Sequence, residues 1–207
     1  MLRATSETSH KPCRVLRAVV FVVSGVLVSG LTAGCGRQSV ESDLPAAAAA
    51  GALTGPAGAT VAGWAPNAVV ERVVDGDTLV ARIGDRSEPV RLIGLDTPES
   101  VARSRPVQCY GPEASLFLQA LLPEGTPITL LRDVEARDAY ERLLGYVVRS
   151  GDGLFVNLEI VAAGYAEALT FAPNVHYAAA FERAERDAVM ADRGLWGACG
   201  GPDVPLE

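Results

Sequence analysis

VRLIGLDTPES, residues 90–100, reads as a β-strand that ends in a group of charged side chains. Apolar residues surround a single cation, Arg91, and this pattern predicts a strand with both faces partly covered. Two carboxylates, Asp96 and Glu99, follow the strand directly. A cation and two carboxylates so close to one strand end indicate a chemical site.

Short apolar segments on either side of this stretch predict a small barrel. Turn residues such as Asp-Gly and Gly-Asp separate the predicted strands, and glycines end two predicted helices. Five short strands in antiparallel order with interleaved helices favour an α+β barrel with helices packed against it. The predicted strands are 67–74, 78–83, 88–95, 126–132 and 143–149, and the helices are 113–122, 157–163 and 176–193.

The first 34 residues have the pattern of a secretory signal, with basic residues before an apolar run at 18–31. That run is short for a membrane-spanning helix, which needs roughly 20 apolar residues. Residues 31–35, LTAGC, resemble the lipobox of bacterial lipoproteins, in which the cysteine becomes the lipidated first residue. We therefore expect a lipid anchor at Cys35 on the outer side of the bacterial membrane. The alternatives are a plain signal, which would release a secreted protein, or a single-pass anchor with an incidental cysteine.

Residues 35–66 are rich in Ala, Gly and Pro and carry little charge or periodicity. Such a composition predicts a disordered, flexible tether, because it cannot bury enough apolar area to offset its ordering entropy. A short Ala-rich helix at 46–50 is the alternative. The folded domain is then predicted at 67–200, with a C-terminal tail at 201–207.

The charge of the chain limits how it can hold an anion. Without the predicted signal, 14 basic and 24 acidic residues remain, a net charge of −10 against −7 for the whole chain, and no lysine is left. An acidic surface disfavours bulk electrostatic binding of nucleic acid. An anionic substrate would have to be held locally, by a few arginines or a metal.

Cys109 and Cys199 are the two cysteines that remain after the signal and the predicted lipidation site are set aside. An even pair in an oxidising compartment predicts a disulfide, and two free buried thiols are the alternative. Metal binding by the pair is disfavoured because the chain has no Cys-x-x-Cys spacing.

Polar residues at the predicted strand ends suggest phosphoryl chemistry. Asp77 and Asp96 offer the hard oxygen ligands that Ca²⁺ prefers, and Glu99 could act as a base on water. Arg91 and Arg142 could clamp a phosphoryl group, because the planar guanidinium matches it bidentately. Together they describe phosphodiester hydrolysis. Each feature alone also has an ordinary interpretation: the residues around Asp77 could form a simple hairpin turn, and Asp138 with Arg142 could form an i,i+4 ion pair.

Six motifs in this order resemble those of the staphylococcal nuclease (thermonuclease) family, and the similarity covers about residues 69–199. The resemblance implies an OB-type barrel of five strands with three helices that hydrolyses DNA and RNA with Ca²⁺. The motifs are VVDGDT (73–78), VRLIGLDTPES (90–100), CYGPEAS (109–115), DAYERLLGYV (138–147), VNLEIVAAGYA (156–166) and GLW (194–196).

The resemblance also implies roles for individual residues. Asp77 and Asp96 match the calcium carboxylates, and Thr97 matches the residue that gives its main-chain oxygen to the metal. The positions that match the catalytic trio are Arg91, Glu99 and Arg142. Glu99 would serve either as a general base or to orient the attacking water.

Some positions depart from the family pattern. Glu141 replaces the glycine that is usual in the family, and Ala139 replaces a lysine that contacts phosphate there. Leu169 and Phe171 fall near the positions of tyrosines that contact the nucleotide in the family. Tyr140 is retained and could contact phosphate. Phe171 could stack a base, with a place in the core as the alternative.

The sequence therefore predicts a monomeric, lipid-anchored, Ca²⁺-dependent extracytoplasmic nuclease that cleaves DNA, RNA or both as an endonuclease. The alternative is an inactive barrel that binds single-stranded nucleic acid or a protein, since the fold alone does not decide function. A structural envelope lipoprotein is a third class, which would leave the combination of Arg91, Glu99 and Arg142 unexplained.

Overall fold

The computed structural model describes residues 40–47, 65–101 and 106–206. The predicted signal and the lipidation candidate Cys35 lie outside this part of the chain. Five strands form a closed barrel in the order β1-β2-β3-β6-β5, with β1 paired to β5. These strands are β1 (Ala68–Asp75), β2 (Thr78–Ile83), β3 (Arg86–Leu92), β5 (Pro127–Leu131) and β6 (Leu143–Arg149).

The pairing of β3 with β6 is parallel, and it brings Val90 opposite Leu143 and Leu92 opposite Gly145. All the other barrel pairs are antiparallel. The predicted antiparallel order is therefore wrong at this one pair, because the chain leaves the barrel after β3 and re-enters it through β5. The predicted fold class, an α+β OB-type barrel with about three packed helices, is confirmed.

Helices α2, α3 and α4 begin and end within three residues of their predicted bounds. In the described part of the chain, no helix is long and apolar enough to cross a membrane. The helices are α1 (Val40–Asp43), α2 (Gly111–Leu121), α3 (Val156–Ala162), α4 (Ala178–Met190) and α5 (Leu195–Ala198).

The strand predicted at 88–95 is divided into β3 and a separate strand, β4 (Gly94–Asp96). Gly94 has a φ of +88°, and a Cβ there would lie 2.3 Å from the Phe181 ring of α4. Only glycine combines that backbone conformation with so close an approach. Strand β4 then pairs antiparallel with β7 (Glu167–Leu169), outside the barrel. The break thus carries Asp96 away from the barrel wall.

Buried Asn157 joins the β3–β4 junction to β6. Its Nδ2 donates to the carbonyls of Ile93 at 2.9 Å and Gly145 at 3.2 Å, and its Oδ1 accepts from the Val147 N–H at 2.8 Å. A buried amide with all these partners is favourable, whereas an unpaired one would cost free energy. Asn157 therefore fixes the strands on both sides of the parallel pair.

An aromatic cluster fills the end of the core beneath α4. The Tyr146 ring centre lies 5.8 Å from that of Phe155 and 4.8 Å from that of Tyr177, both in edge-to-face contacts. The Tyr146 hydroxyl donates to Asp133 at 3.0 Å. Burial raises the pKa of Tyr146, and the Asp133 carboxylate raises it further.

Residues 40–47, which the sequence predicts as part of the disordered tether, pack against the barrel instead. Val40, Leu44 and Ala47 are buried, and the Ala47 N–H donates to the Arg132 carbonyl at 2.7 Å. The prediction is wrong here because the apolar surface that receives these three side chains is formed only on folding, which local composition does not reveal. Most of the remaining predicted tether lies outside the described residues.

The C-terminal segment 200–206 also joins the fold. Its Val204 carbonyl accepts from the Cys109 N–H at 2.7 Å, and the Leu206 N–H donates to Val107 at 3.0 Å. A disulfide links Cys109 to Cys199, with the Cα atoms 6.0 Å apart. The segment predicted as a tail is thus held against the residues that precede α2.

Candidate active site

An open cleft of about 720 Å³ lies where β3, β4 and the loop before β6 meet. Six of the residues that the sequence predicts for the site line this cleft, although they are far apart in the chain. They are Arg91, Asp96, Glu99, Tyr140, Arg142 and Phe171. Asp77 and Thr97 are buried next to it, where Asp77 pairs with the lining residue Arg91 and the Thr97 hydroxyl donates to Asp77.

The register of β2 and β3 brings Asp77 to the cleft. Thr78 pairs with Arg91, and the Leu92 N–H donates to the Asp77 carbonyl at 2.8 Å. The β1–β2 turn therefore lies beside the end of β3. The Arg91 guanidinium forms ion pairs with both Asp77 and Asp96.

The predicted contact of Arg91 with a phosphate stays a prediction, and in the structure the guanidinium bridges the two carboxylates. Opposite charges in a partly buried site attract strongly, so this pairing is favourable. Burial alone would lower the pKa of Arg91, but Asp77 and Asp96 raise it. Arg91 and Asp96 both line the cleft, whereas Asp77 is buried beside it.

Asp77 is held from several sides. Its carboxylate accepts the Thr78 hydroxyl at 2.8 Å and the Thr97 hydroxyl at 3.2 Å. Burial raises the pKa of Asp77, and the Arg91 charge opposes this only in part. The Thr97 contact places that residue directly beside the carboxylate pair.

The carboxylates of Asp77 and Asp96 fit a hard divalent cation. Both carboxylates form ion pairs with the Arg91 guanidinium, so two negative charges lie close together in one small region. Carboxylate oxygens are the ligands that Ca²⁺ and Mg²⁺ prefer. The described residues contain no group of three His, Cys, Asp or Glu side chains able to hold a metal. The remaining ligands of a cation would have to be carbonyl oxygens, water or substrate.

Asp138 organises the loop that carries Arg142. Its carboxylate accepts the backbone N–H groups of Tyr140 and Arg142, both at 2.9 Å, and the Arg142 Nε–H at 2.7 Å. Burial would raise the pKa of Asp138, but the hydrogen bonds from Arg142 lower it. Asp138 and Arg142 form an i,i+4 ion pair, and both residues line the cleft.

Two aromatic side chains project from the cleft walls. Tyr140 is 81% exposed, and its ring centre lies 5.6 Å from the Arg142 Cζ. Phe171 is 71% exposed, so it is not a core residue. Between Tyr140 and Arg142, Glu141 adopts a φ of +62°, a conformation that suits the glycine usual there in the family.

Glu99 lies in the chain that follows β4 and is anchored through its backbone. Its N–H donates to the Gln108 Oε1 at 2.7 Å, and its carbonyl accepts the Gln108 N–H at 2.9 Å. Gln108 is not among the residues predicted for the site, because no charge pattern or spacing in a single sequence marks it. Only the fold brings it to Glu99.

The barrel and the cleft define an α+β protein of OB type with paired carboxylates and arginines at one site. A sequence profile of the family described as "Staphylococcal nuclease homologue" matches residues 89–198. The chain belongs to the staphylococcal nuclease family. Asp77 lies before the matched residues and joins the site through the β2–β3 register.

Individual relatives agree with this assignment. The chain is 39% identical over 128 residues to "Thermonuclease" of Staphylococcus intermedius, an alignment that covers 62% of this chain and 74% of that protein. It is 36% identical over 127 residues to "Thermonuclease" of Staphylococcus hyicus, covering 61% and 73%. It is 31% identical over 135 residues to "Endonuclease YncB" of Bacillus subtilis (strain 168), covering 65% and 63%.

Proposed function

We propose that this protein is a Ca²⁺-dependent nuclease that hydrolyses phosphodiester bonds within DNA, RNA or both. The observation that carries the proposal is the meeting of Arg91, Asp96, Glu99 and Arg142 in one cleft. Two cations, a carboxylate pair and a further carboxylate are the groups that this reaction needs. Membership of the nuclease family supports the same reaction.

Asp77 and Asp96, with the main-chain oxygen of Thr97, would hold the calcium ion. When bound, the ion would neutralise charge on the phosphoryl group and polarise it toward attack. Glu99 would accept a proton from the attacking water or orient it. Arg142, which Asp138 fixes in place, would hold the phosphoryl oxygens as negative charge grows on them.

Arg91 has two roles in this proposal. It would balance the carboxylate charge, a role that its two ion pairs support, and it would offer a second cation to the phosphoryl group. Its position at the cleft lining supports the second role. A planar guanidinium suits both partners, which a lysine would not.

Tyr140 and Phe171 would contact the nucleic acid on either side of the reacting phosphate. Both are exposed and line the cleft, and base–aromatic stacking contributes about 1–3 kcal/mol per base. Since the whole chain has a net charge of −7, these local contacts and the arginines would supply the affinity that a basic surface supplies elsewhere.

We further propose that the protein works as a monomer outside the cytoplasm, fastened to the bacterial membrane by lipid on Cys35. The LTAGC pattern at 31–35 supports the anchor. The Cys109–Cys199 disulfide supports an oxidising compartment. Mass spectrometry of the membrane fraction should find diacylglyceryl-modified Cys35 as the first residue, and an unmodified, secreted chain would contradict the anchor.

The nuclease proposal is tested with purified protein and supercoiled plasmid DNA. We expect nicked and linear products with CaCl₂ and none with EGTA. A protein that shifts single-stranded DNA on a native gel in CaCl₂ without cutting plasmid DNA, single-stranded DNA or RNA would instead be the binding module considered above.

A further inference from the structure

We infer that Gln108 is a positioning residue for Glu99 and is itself held by the disulfide-fastened C-terminal segment 200–206. This inference rests on the proposed nuclease function, because it explains how Glu99 is kept in place for that reaction. Gln108 does not line the cleft and carries no charge, so we expect it to act by holding the Glu99 backbone in place.

Two hydrogen bonds join Gln108 to the Glu99 backbone, and a third joins it to Gly111 at the start of α2. Its Oε1 accepts the Glu99 N–H at 2.7 Å, and its own N–H donates to the Glu99 carbonyl at 2.9 Å. The Gly111 N–H donates to the Gln108 carbonyl at 3.0 Å. A Cβ on Gly111 would lie 2.2 Å from the Glu99 carbonyl oxygen, so this close approach needs a glycine.

The other end of the Gln108 side chain is fixed by the C-terminal segment. Its Nε2 donates to the Asp203 Oδ1 at 2.7 Å, and Gln108 also forms a β-bridge with Pro205. An amide is suited to this place because one end must accept from an N–H while the other must donate to a carboxylate. The Cys109–Cys199 disulfide, next to Gln108, fastens the segment to this part of the chain.

Glu99 needs such support because it lies outside any helix or strand, in a segment that runs from β4 toward α2. A catalytic group must stay close to its productive position, since a displacement of about 1 Å can lower the rate by about 100-fold. The covalent and hydrogen-bonded link from Cys199 through Gln108 to Glu99 supplies that restraint.

The test compares Gln108→Met with Gln119→Met. Methionine keeps the length of the side chain and removes its hydrogen bonds. Gln119 is an exposed glutamine on α2 whose Nε2 contacts the Ser115 hydroxyl at 3.3 Å. We expect Gln108→Met to lower kcat by about 10- to 100-fold with KM within about twofold, and Gln119→Met to change neither. Asp203→Ala, a surface change, should lower kcat by a smaller factor.

A double-variant cycle separates positioning from general support. In a Glu99→Gln background, Gln108→Met should cause little further loss, because the group that it positions is already missing. A full additional loss in that background, or a wild-type kcat for Gln108→Met, would overturn the inference.

Amide hydrogen exchange tests the same contact without activity. Removing the acceptor should speed exchange of the Glu99 N–H by about tenfold in Gln108→Met and leave it unchanged in Gln119→Met. Unchanged exchange in Gln108→Met would refute the inference. If the wild type cleaves no nucleic acid, the nuclease proposal fails, whereas the exchange result still decides whether Gln108 holds Glu99.

Discussion

At the scale of single residues, Asp138 shows how one carboxylate can organise a cleft. It holds two backbone N–H groups and the Arg142 side chain, and these bonds lower its pKa below the ordinary 3.8. A depressed pKa in the folded state stabilises the protein above the unfolded value, and the gain is lost as pH falls through the folded value.

Asp138→Asn should therefore destabilise the protein at pH 7 by about 1 kcal/mol, because the charge that strengthens these bonds is removed. The difference from wild type should shrink below pH 3.8 as the wild-type carboxyl takes up its proton. Urea unfolding at pH 7 and pH 3 measures it. Glu182→Gln, at an exposed pair 4.0 Å from Arg186, should show no such change. A difference that grows toward low pH would contradict the assignment.

Glu141 combines a φ of +62° with a negative charge in the loop beside Arg142. Glu141→Gly should relieve the backbone strain and raise the unfolding free energy by about 0.5–1 kcal/mol. It should also lower KM for single-stranded DNA, more at low salt, because a charge that repels phosphate is removed.

Asp192→Gly is the matched control for this change. Asp192 has a φ of +48° at the end of α4 and does not line the cleft. We expect a similar gain in thermal stability and an unchanged KM. Equal KM effects of the two variants would show that the position of the Glu141 charge, beside Arg142, does not matter.

Single residues also show what a sequence can and cannot predict. Asp77, Arg91 and Asp96 stand out because ionic side chains are unusual at the ends of apolar strands. The bridging of both carboxylates by Arg91 depends on the β2–β3 register, which the sequence does not state. Gln108 is an uncharged residue in a loop, and only folding brings its side chain to the Glu99 backbone and to the C-terminal segment.

At the scale of elements, Gly94 sets the path of the chain from the barrel to Asp96. Gly94→Ala should lower the unfolding free energy by about 3 kcal/mol, because a Cβ would overlap Phe181 and the backbone has positive φ. Displacement of β4 should also reduce cleavage. Thermal unfolding and a DNA cleavage assay measure both effects.

Gly84→Ala separates the two causes. Gly84 has a φ of +60°, but a Cβ there would meet nothing within 4 Å. We expect a loss of only about 1 kcal/mol and normal cleavage. A Gly84→Ala variant as unstable as Gly94→Ala would show that backbone conformation, and not the contact with α4, dominates.

The predicted elements are correct where local pattern decides them. Strands β2 and β6 match their predicted bounds because turns and charged residues end their apolar runs. The sequence predicts a single strand at 88–95 because the apolar pattern continues past Gly94. The break there follows from contact with α4, which lies far away in sequence.

At the scale of the whole molecule, segment 40–47 lies close to the loop that carries Arg142. Leu44 is only 4% exposed, and Glu41 forms an ion pair with Arg137. The sequence could not predict this docking, because eight apolar and polar residues in an Ala-rich context carry little periodic signal. The barrel surface that receives them is assembled only on folding.

Leu44→Ala should lower the unfolding free energy by about 2–3 kcal/mol if this segment is part of the cooperative fold. Leu116→Ala, at a leucine that is 62% exposed on α2, should change it by less than about 0.5 kcal/mol. Denaturant unfolding of both variants gives the comparison. Equal, small effects would show that segment 40–47 is not held.

The central claim, that this cleft hydrolyses phosphodiesters, is tested most directly by Arg142→Ala. The variant removes one fixed donor that would stabilise charge in the transition state, so kcat for Ca²⁺-dependent cleavage of single-stranded DNA should fall by about 10²- to 10³-fold. Arg82→Ala removes an arginine of similar charge on β2, 3.7 Å from Glu71, and should keep the wild-type rate. Circular dichroism confirms that each variant is folded. Near-wild-type cleavage by folded Arg142→Ala would contradict the claim.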